Sequence, residues 1–243
     1  EPQWLPRSWS VAVGDGAGTI ELHTAQSAYN ARATPVGGLD LELVYVGLGT
    51  EADFIGRDVT GKAALIASMP MRSTLRHSAT VNGAIQRADT RGAAAILVSV
   101  ALPGNMQTQF YPTRTEAPTF SLGQQDGNTL RSMVESNGPA TQVHIELNVE
   151  TVAGLKTANV WATLPGMTEE KIVIVAHRDG WFEGANDNAA GVATAVVLAE
   201  YFASLPQERR RRTLQFVGTP GHHNSARVGV QWIEDNAGTV LDK

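Results

Sequence analysis

A chain of 243 residues, 42% of them hydrophobic, can bury the core of one large domain or two modest ones, which excludes a disordered chain. Its net charge of −5 and the lack of a basic patch with interleaved aromatics point away from nucleic acid. The absence of cysteine excludes disulfides, thiolate nucleophiles and Cys-ligated zinc, and no apolar run approaches the roughly 18 residues of a membrane span.

The chain begins at Glu1 without Met and without the charged and apolar regions of a signal peptide. A mature secreted or periplasmic protein, or a trimmed chain, is expected. Residues 1–35 carry Trp4, Trp9 and the alternating Thr19-Ile20-Glu21-Leu22-His23, compatible with a short helix or a strand pair. This arm is expected to pack on the second half of the chain. His23 has no Asp, Glu or His at ligand spacing and reads as a surface residue.

From Gly37 the pattern sharpens. Leu39 to Val46 alternates as a half-buried strand, and Gly61-Lys62 leads into a second strand, 63–67. A helix is expected at 82–88, a buried strand at 93–100, a loop at 102–116, a helix at 124–135 capped by Asp126 or Gln125, and an alternating strand at 141–152. His77 and His144 stand alone in this half, and His144 lies on the face opposite Val143 and Ile145. The order of elements resembles the protease-associated (PA) domain over about 36–155. The similarity is carried by Leu43-Val44-Tyr45-Val46-Gly47, Val59-Thr60-Gly61-Lys62, Gly92-Ala93-Ala94-Ala95-Ile96-Leu97 and Ala117-Pro118-Thr119-Phe120. A PA domain implies a substrate-side wall rather than a catalyst.

The second half, 156–243, reads as strand (159–164), Pro165-Gly166 turn, strand (171–176), polar loop and helix (189–204). Ala, Val and Leu occupy nearly every face of that helix, so burial on most sides is expected. The basic run Arg209–Arg212 reads as a solvated helix-end turn, and a third strand follows at 212–218. Gly221-His222-His223-Asn224-Ser225 comes next. A helix from Arg227 to Asn236 with a stop at Asn236-Ala237-Gly238 completes the reading.

Chemistry concentrates after these strands. His177 and Asp179 are two apart at a strand end, which places them on one side. A carboxylate there can hold the imidazole N–H that does not face a metal. Asp187 lies in Gly184-Ala185-Asn186-Asp187-Asn188 at a helix entry, where it can bridge cations or simply cap the helix. His222 and His223 open the next post-strand loop. Three such loops on one sheet edge favour a metal site at the carboxyl end of the strands.

The segments Asn159–Gly166, His177-Arg178-Asp179-Gly180-Trp181, Gly184–Gly191 and Arg211–Phe216 resemble the di-zinc aminopeptidase family with a PA insertion, the group of glutamate carboxypeptidase II and the transferrin receptor. The resemblance implies that His177 binds one zinc, Asp187 bridges two and Asp179 supports His177. The family has adjacent glutamates, a base then a ligand, where this chain has Gly221-His222-His223-Asn224. One register makes His222 the catalytic base and His223 the ligand; the other uses His223 and Asn224. The first is preferred because His223 is then a competent ligand. A further family carboxylate and a final His come from beyond Lys243, so one or two zinc ions are expected, the second needing a continuation or a second chain.

The sequence thus predicts an α/β fold: a partial aminopeptidase-like mixed sheet with flanking helices plus a β-rich PA-like domain. It predicts a zinc-dependent hydrolase of peptide or small amide substrates. Its rivals are a non-catalytic, receptor-like binding protein on the same scaffold, and a hydrolase of a non-peptide ester or amide.

Overall fold

The computed structural model describes residues 2–14, 18–72, 76–108, 110–111, 113–223, 228–235 and 238. The chain forms an α/β structure in two compact units that divide at Ala153 and Gly154.

The N-terminal unit is an eight-stranded sheet in the order β2-β1-β8-β4-β5-β6-β7-β3. Its strands are β1 (Gln3–Gly14), β2 (Thr19–Glu21), β3 (Gln26–Ser27), β4 (Leu39–Tyr45), β5 (Ala63–Ser68), β6 (Ala95–Val100), β7 (Thr119–Leu122) and β8 (Gln142–Val152). The run β4 to β7 is parallel, and the other pairings are antiparallel. β5 and β6 are almost wholly buried, which explains their unbroken apolar sequence, as for strands covered on both faces. The short α1 (Ser78–Val81), α2 (Ala84–Thr90) and α3 (Gln124–Asn137) complete the unit.

Residues 3–14 correct the expected placement of the N-terminal arm. They form a long strand paired with β8 from Gln3 opposite Val152 to Gly14 opposite Gln142. β8 alternates Val143, Ile145 and Leu147 into the core and needs a partner for its backbone groups on both edges. β4 supplies one and β1 the other. Trp4 and Trp9 donate their indole N–H groups to the carbonyls of Ala31 and Ala25, at 3.0 and 2.7 Å. The arm therefore belongs to this unit's core.

The cap of α3 is also corrected. Neither Gln125 nor Asp126 caps it; Asn105, in the preceding loop, accepts the N–H groups of both through Oδ1, each at 3.1 Å. Asp126 instead accepts the backbone N–H and the hydroxyl of Thr24. α3 lies so close to β6 that a Cβ on Gly127 would sit 1.8 Å from Ser99 Oγ. Gly127→Ala should destabilise this unit by about 1–3 kcal/mol despite alanine's better helix propensity. An unchanged urea midpoint would refute that close approach.

The histidines of this unit have separate fates. His23 is exposed. His144 is not isolated, since its Nδ1 lies 2.8 Å from Asp40 across the strands. His77 is buried beside Ser68.

The C-terminal unit holds a three-stranded sheet, β9 (Val160–Leu164), β10 (Thr168–His177) and β11 (Arg212–Thr219), in the order β10-β11-β9. β10 and β11 are parallel, joined through α4 (Ala190–Ser204), and β9 runs antiparallel to β11. Ala176, Leu214, Phe216 and Val217 are the buried apolar positions of the sheet, and Gln215 and Thr219 are buried with them. The expected burial of α4 does not hold: none of its residues is buried, and Val196, Val197 and Tyr201 are more than half exposed. Among the described residues, the three strands cover only part of α4, and its other apolar faces are exposed. The basic run does close this helix. Arg210 donates to the carbonyls of Phe202 and Leu205, and Arg212 pairs with Glu170 at 2.7 Å. After β11 comes α5 (Val228–Asp235). Arg227 and the Asn236-Ala237 stop lie outside the described residues. Among those described, no helix is long and apolar enough to cross a membrane.

Candidate metal centre

Parallel pairing sets the site. β10 and β11 run in register to His177 opposite Thr219, and Arg178 N–H donates to Thr219 O at 2.9 Å. The strands therefore end level, and the turns that follow them, 178–184 and 220–223, leave side by side.

The first turn folds back on itself. Gly180 is needed because a Cβ there would sit 2.4 Å from Asp187 O. Asn188 Nδ2 donates to His177 O at 2.9 Å, tying the far end of the loop to the strand end. The Asp187–Asn188 peptide is cis. Asp187 is no helix cap: α4 follows Ala189, which makes no side-chain cap bond, and the Asp187 carboxylate turns toward the histidines. In the second turn, Gly229 seats α5 against Thr219, where any Cβ would lie 2.6 Å from the Thr219 Cβ. Trp161 and Trp232 stack at 4.9 Å on the same side.

The result is a convergence of three ligand-type atoms. Asp187 Oδ1 lies 3.2 Å from His177 Nε2 and 3.3 Å from His223 Nε2. Ligand atoms of His177, Asp187 and His223 all fall within 4.8 Å of one another. Edges of this length suit a tetrahedron whose bonds to a central zinc are about 2.0–2.2 Å. His223 Nε2 is buried without a hydrogen-bond partner, and a cation would satisfy it once the ring carries its proton on Nδ1. The donor set of two imidazoles and one carboxylate also suits zinc chemically.

Asp179 acts differently from the expected carboxylate–imidazole pair. The atom beside His177 Nδ1 is the backbone carbonyl of Asp179, at 2.9 Å, while the carboxylate Oδ1 stands 3.6 Å away. A carbonyl can only accept, so His177 carries its proton on Nδ1 and presents a lone pair at Nε2. The Asp179 carboxylate holds the neighbouring turn instead, its Oδ2 accepting His223 N–H at 3.0 Å. Burial pushes this carboxyl up, but the backbone N–H groups of His223 and His222 outweigh it and hold it below the usual value. Burial pushes the His223 imidazole down, against the opposing pull of Asp187 and Asp179.

His222 is exposed and lies outside the group of ligand atoms, its ring stacked on that of His177 at 4.2 Å. His223, which both registers use, stands at the cluster; Asn224, needed by the second, lies outside the described residues. Sequence reasoning missed Trp181, which donates its indole N–H to His223 Nδ1 at 2.9 Å. Its partner is 42 residues downstream, and no local periodicity signals such a bond.

The profile of Peptidase family M28 matches residues 159–221, a span that contains His177, Asp179 and Asp187 and ends just before His222 and His223. No curated protein sequence matches. Among solved structures, a peptidase M28 precursor from Shewanella amazonensis is similar at 20% identity with a TM-score of 0.73, covering 98% of this chain and 56% of its own. An aminopeptidase from Aneurinibacillus sp. strain AM-1 is similar at 22% identity and a TM-score of 0.58, with 97% and 56% covered. A zinc aminopeptidase from Bacillus subtilis is similar at 19% identity and a TM-score of 0.63, with 97% and 54% covered. The chain thus spans little more than half the length of the structures it matches, and what it shares with them is the fold of the M28 aminopeptidases.

Proposed function

We propose that this chain carries the site of a zinc-dependent hydrolase of peptide-like amide bonds, related to aminopeptidases. The observation that carries the reading is the convergence of His177 Nε2 and His223 Nε2 on one oxygen of Asp187, at 3.2 and 3.3 Å. When bound, zinc supplies Lewis-acid polarisation of the scissile carbonyl and lowers the pKa of water. The residues that would hold it are His177, Asp187 and His223. Asp179 orients His177 through its carbonyl and the 222–223 turn through its carboxylate. His222 is assigned the proton transfer: an imidazole nitrogen would take a proton from the attacking water and return it to the leaving amine. It does so under an electrostatic handicap, because its charged form arises beside a cation and against His177, where a carboxylate base would become neutral.

The chain fits one ion better than two. The further ligands that a second ion needs are assigned to a continuation of the chain or a second chain, in keeping with the half-length match. The N-terminal unit is read as PA-like on the strength of its parallel β4–β7 run; a substrate complex that never touches residues 36–155 would count against that. Hydrolysis of aminoacyl-anilides by the zinc-loaded protein should be abolished by a chelator and restored by zinc. No turnover in a zinc-loaded sample that includes any completing segment would sink the catalytic reading. The receptor-like alternative draws on one feature, the imidazoles of His222 and His223 where a base and ligand pair of carboxylates would serve better.

A further inference from the structure

The two histidines of the site are prepared in opposite ways. His177 Nδ1 faces a carbonyl, the Asp179 O at 2.9 Å, so its proton sits on Nδ1 and Nε2 is ready for a cation. His223 Nδ1 faces an indole N–H, that of Trp181 at 2.9 Å. An indole N–H can only donate, so His223 Nδ1 must be the acceptor and the proton of the neutral ring sits on Nε2. That nitrogen is the one that points at Asp187, 3.3 Å away.

We propose that Trp181 is a positioning residue that works against metal binding at His223: its bond holds the ring in the tautomer that cannot coordinate through Nε2, and a cation at Nε2 must displace that bond. The proton count closes. Nε2 gives up its proton as the metal takes the lone pair, Nδ1 gains one, and the indole N–H, now facing another N–H, has to turn to a new acceptor. The loop that carries Trp181 is flanked by Gly180 and Gly184, and Phe182 beside it holds a left-handed φ of 51°, which a side-chain-bearing residue adopts only under strain. The inference rests on the reading of His177, Asp187 and His223 as the metal site, and it makes occupancy of that site a two-position event in the loop.

The test uses the full chain and Co²⁺, followed by calorimetry and by the visible band of the tetrahedral ion. Trp181→Phe should tighten Co²⁺ binding by about three- to tenfold, the worth of one lost competing hydrogen bond. In a His223→Ala background the same change should do nothing. In the wild-type protein, ¹⁵N-histidine spectra should place the His223 proton on Nε2 without metal and on Nδ1 with Zn²⁺, a readout that needs no Trp variant to fold. Equal or weaker binding by a folded Trp181→Phe protein, or a proton on Nδ1 before metal is added, would overturn the proposal. Binding that requires His177 and Asp187 yet ignores Trp181 would sink this inference alone, whereas binding indifferent to His177 and Asp187 would sink the metal site with it.

Discussion

An Asp187→Asn protein will lose at least about 100-fold in zinc affinity, more than is typical for a residue that only supports a ligand. Asp187 Oδ1 is the atom on which both imidazoles converge, at 3.2 and 3.3 Å, so the carboxamide removes the shared anionic ligand while keeping the shape of the side chain. It also removes the one charge that offsets the cation within the group of three ligands. Metal content after dialysis and a direct titration measure the effect, and any hydrolytic activity should fall with it. The fold should survive, because Asp187 makes no helix-capping bond and the loop is tied instead by Asn188 to His177 O. An Asp187→Asn protein with wild-type zinc affinity would remove the central observation from the proposed function.

The second large effect belongs to His77 in the N-terminal unit. Burial lowers its pKa from 6.5 to about 4. Ser68 Oγ lies 2.7 Å from Nδ1, and Nε2 is buried without a protein partner. Above pH 6.5 the imidazole is neutral in both folded and unfolded chains, and stability is complete. As pH falls toward 4, the unfolded chain binds a proton that the folded protein refuses, so stability drops, and below that both states are protonated and no more is lost. The loss amounts to about 3 kcal/mol across this window. Other groups also titrate there, so the measurement is a comparison. Urea unfolding of the wild type and of His77→Asn at pH 7 and pH 4.5 should show the steeper fall in the wild type. Parallel pH dependences would remove His77 from the account.

Much of the fold could be read from residue patterns. The alternation Val143, Ile145, Leu147 marked β8, and the apolar runs marked β5, β6 and β10. Partners far along the chain could not be read. β1 pairs, from Gln3 opposite Val152 to Gly14 opposite Gln142, with a strand at the far end of its unit, and short alternating segments do not reveal which edge they will cover. The bare faces of α4 escaped for a related reason: an all-apolar helix signals burial, but composition does not say how much surface the chain brings to cover it. At the site, residue types singled out His177, Asp187, His222 and His223, and the structure brings the ligand atoms of three of them together, leaving His222 outside. Hydrogen-bond direction was not foretold. Asp179 uses its carbonyl on one histidine and its carboxylate on the next turn, and Trp181 opposes His223 across 42 residues.

The level ends of β10 and β11 have one more effect. The His177–Thr219 rung ties the two halves of the metal site to a single strand pairing, so a slip of one residue would move the second turn by about 3.3 Å and turn its side chains to the other face. Zinc held by His177, Asp187 and His223 would then act as a clasp on that pairing. Each tenfold excess of free zinc over its dissociation constant would add about 1.4 kcal/mol to the stability of this three-stranded sheet.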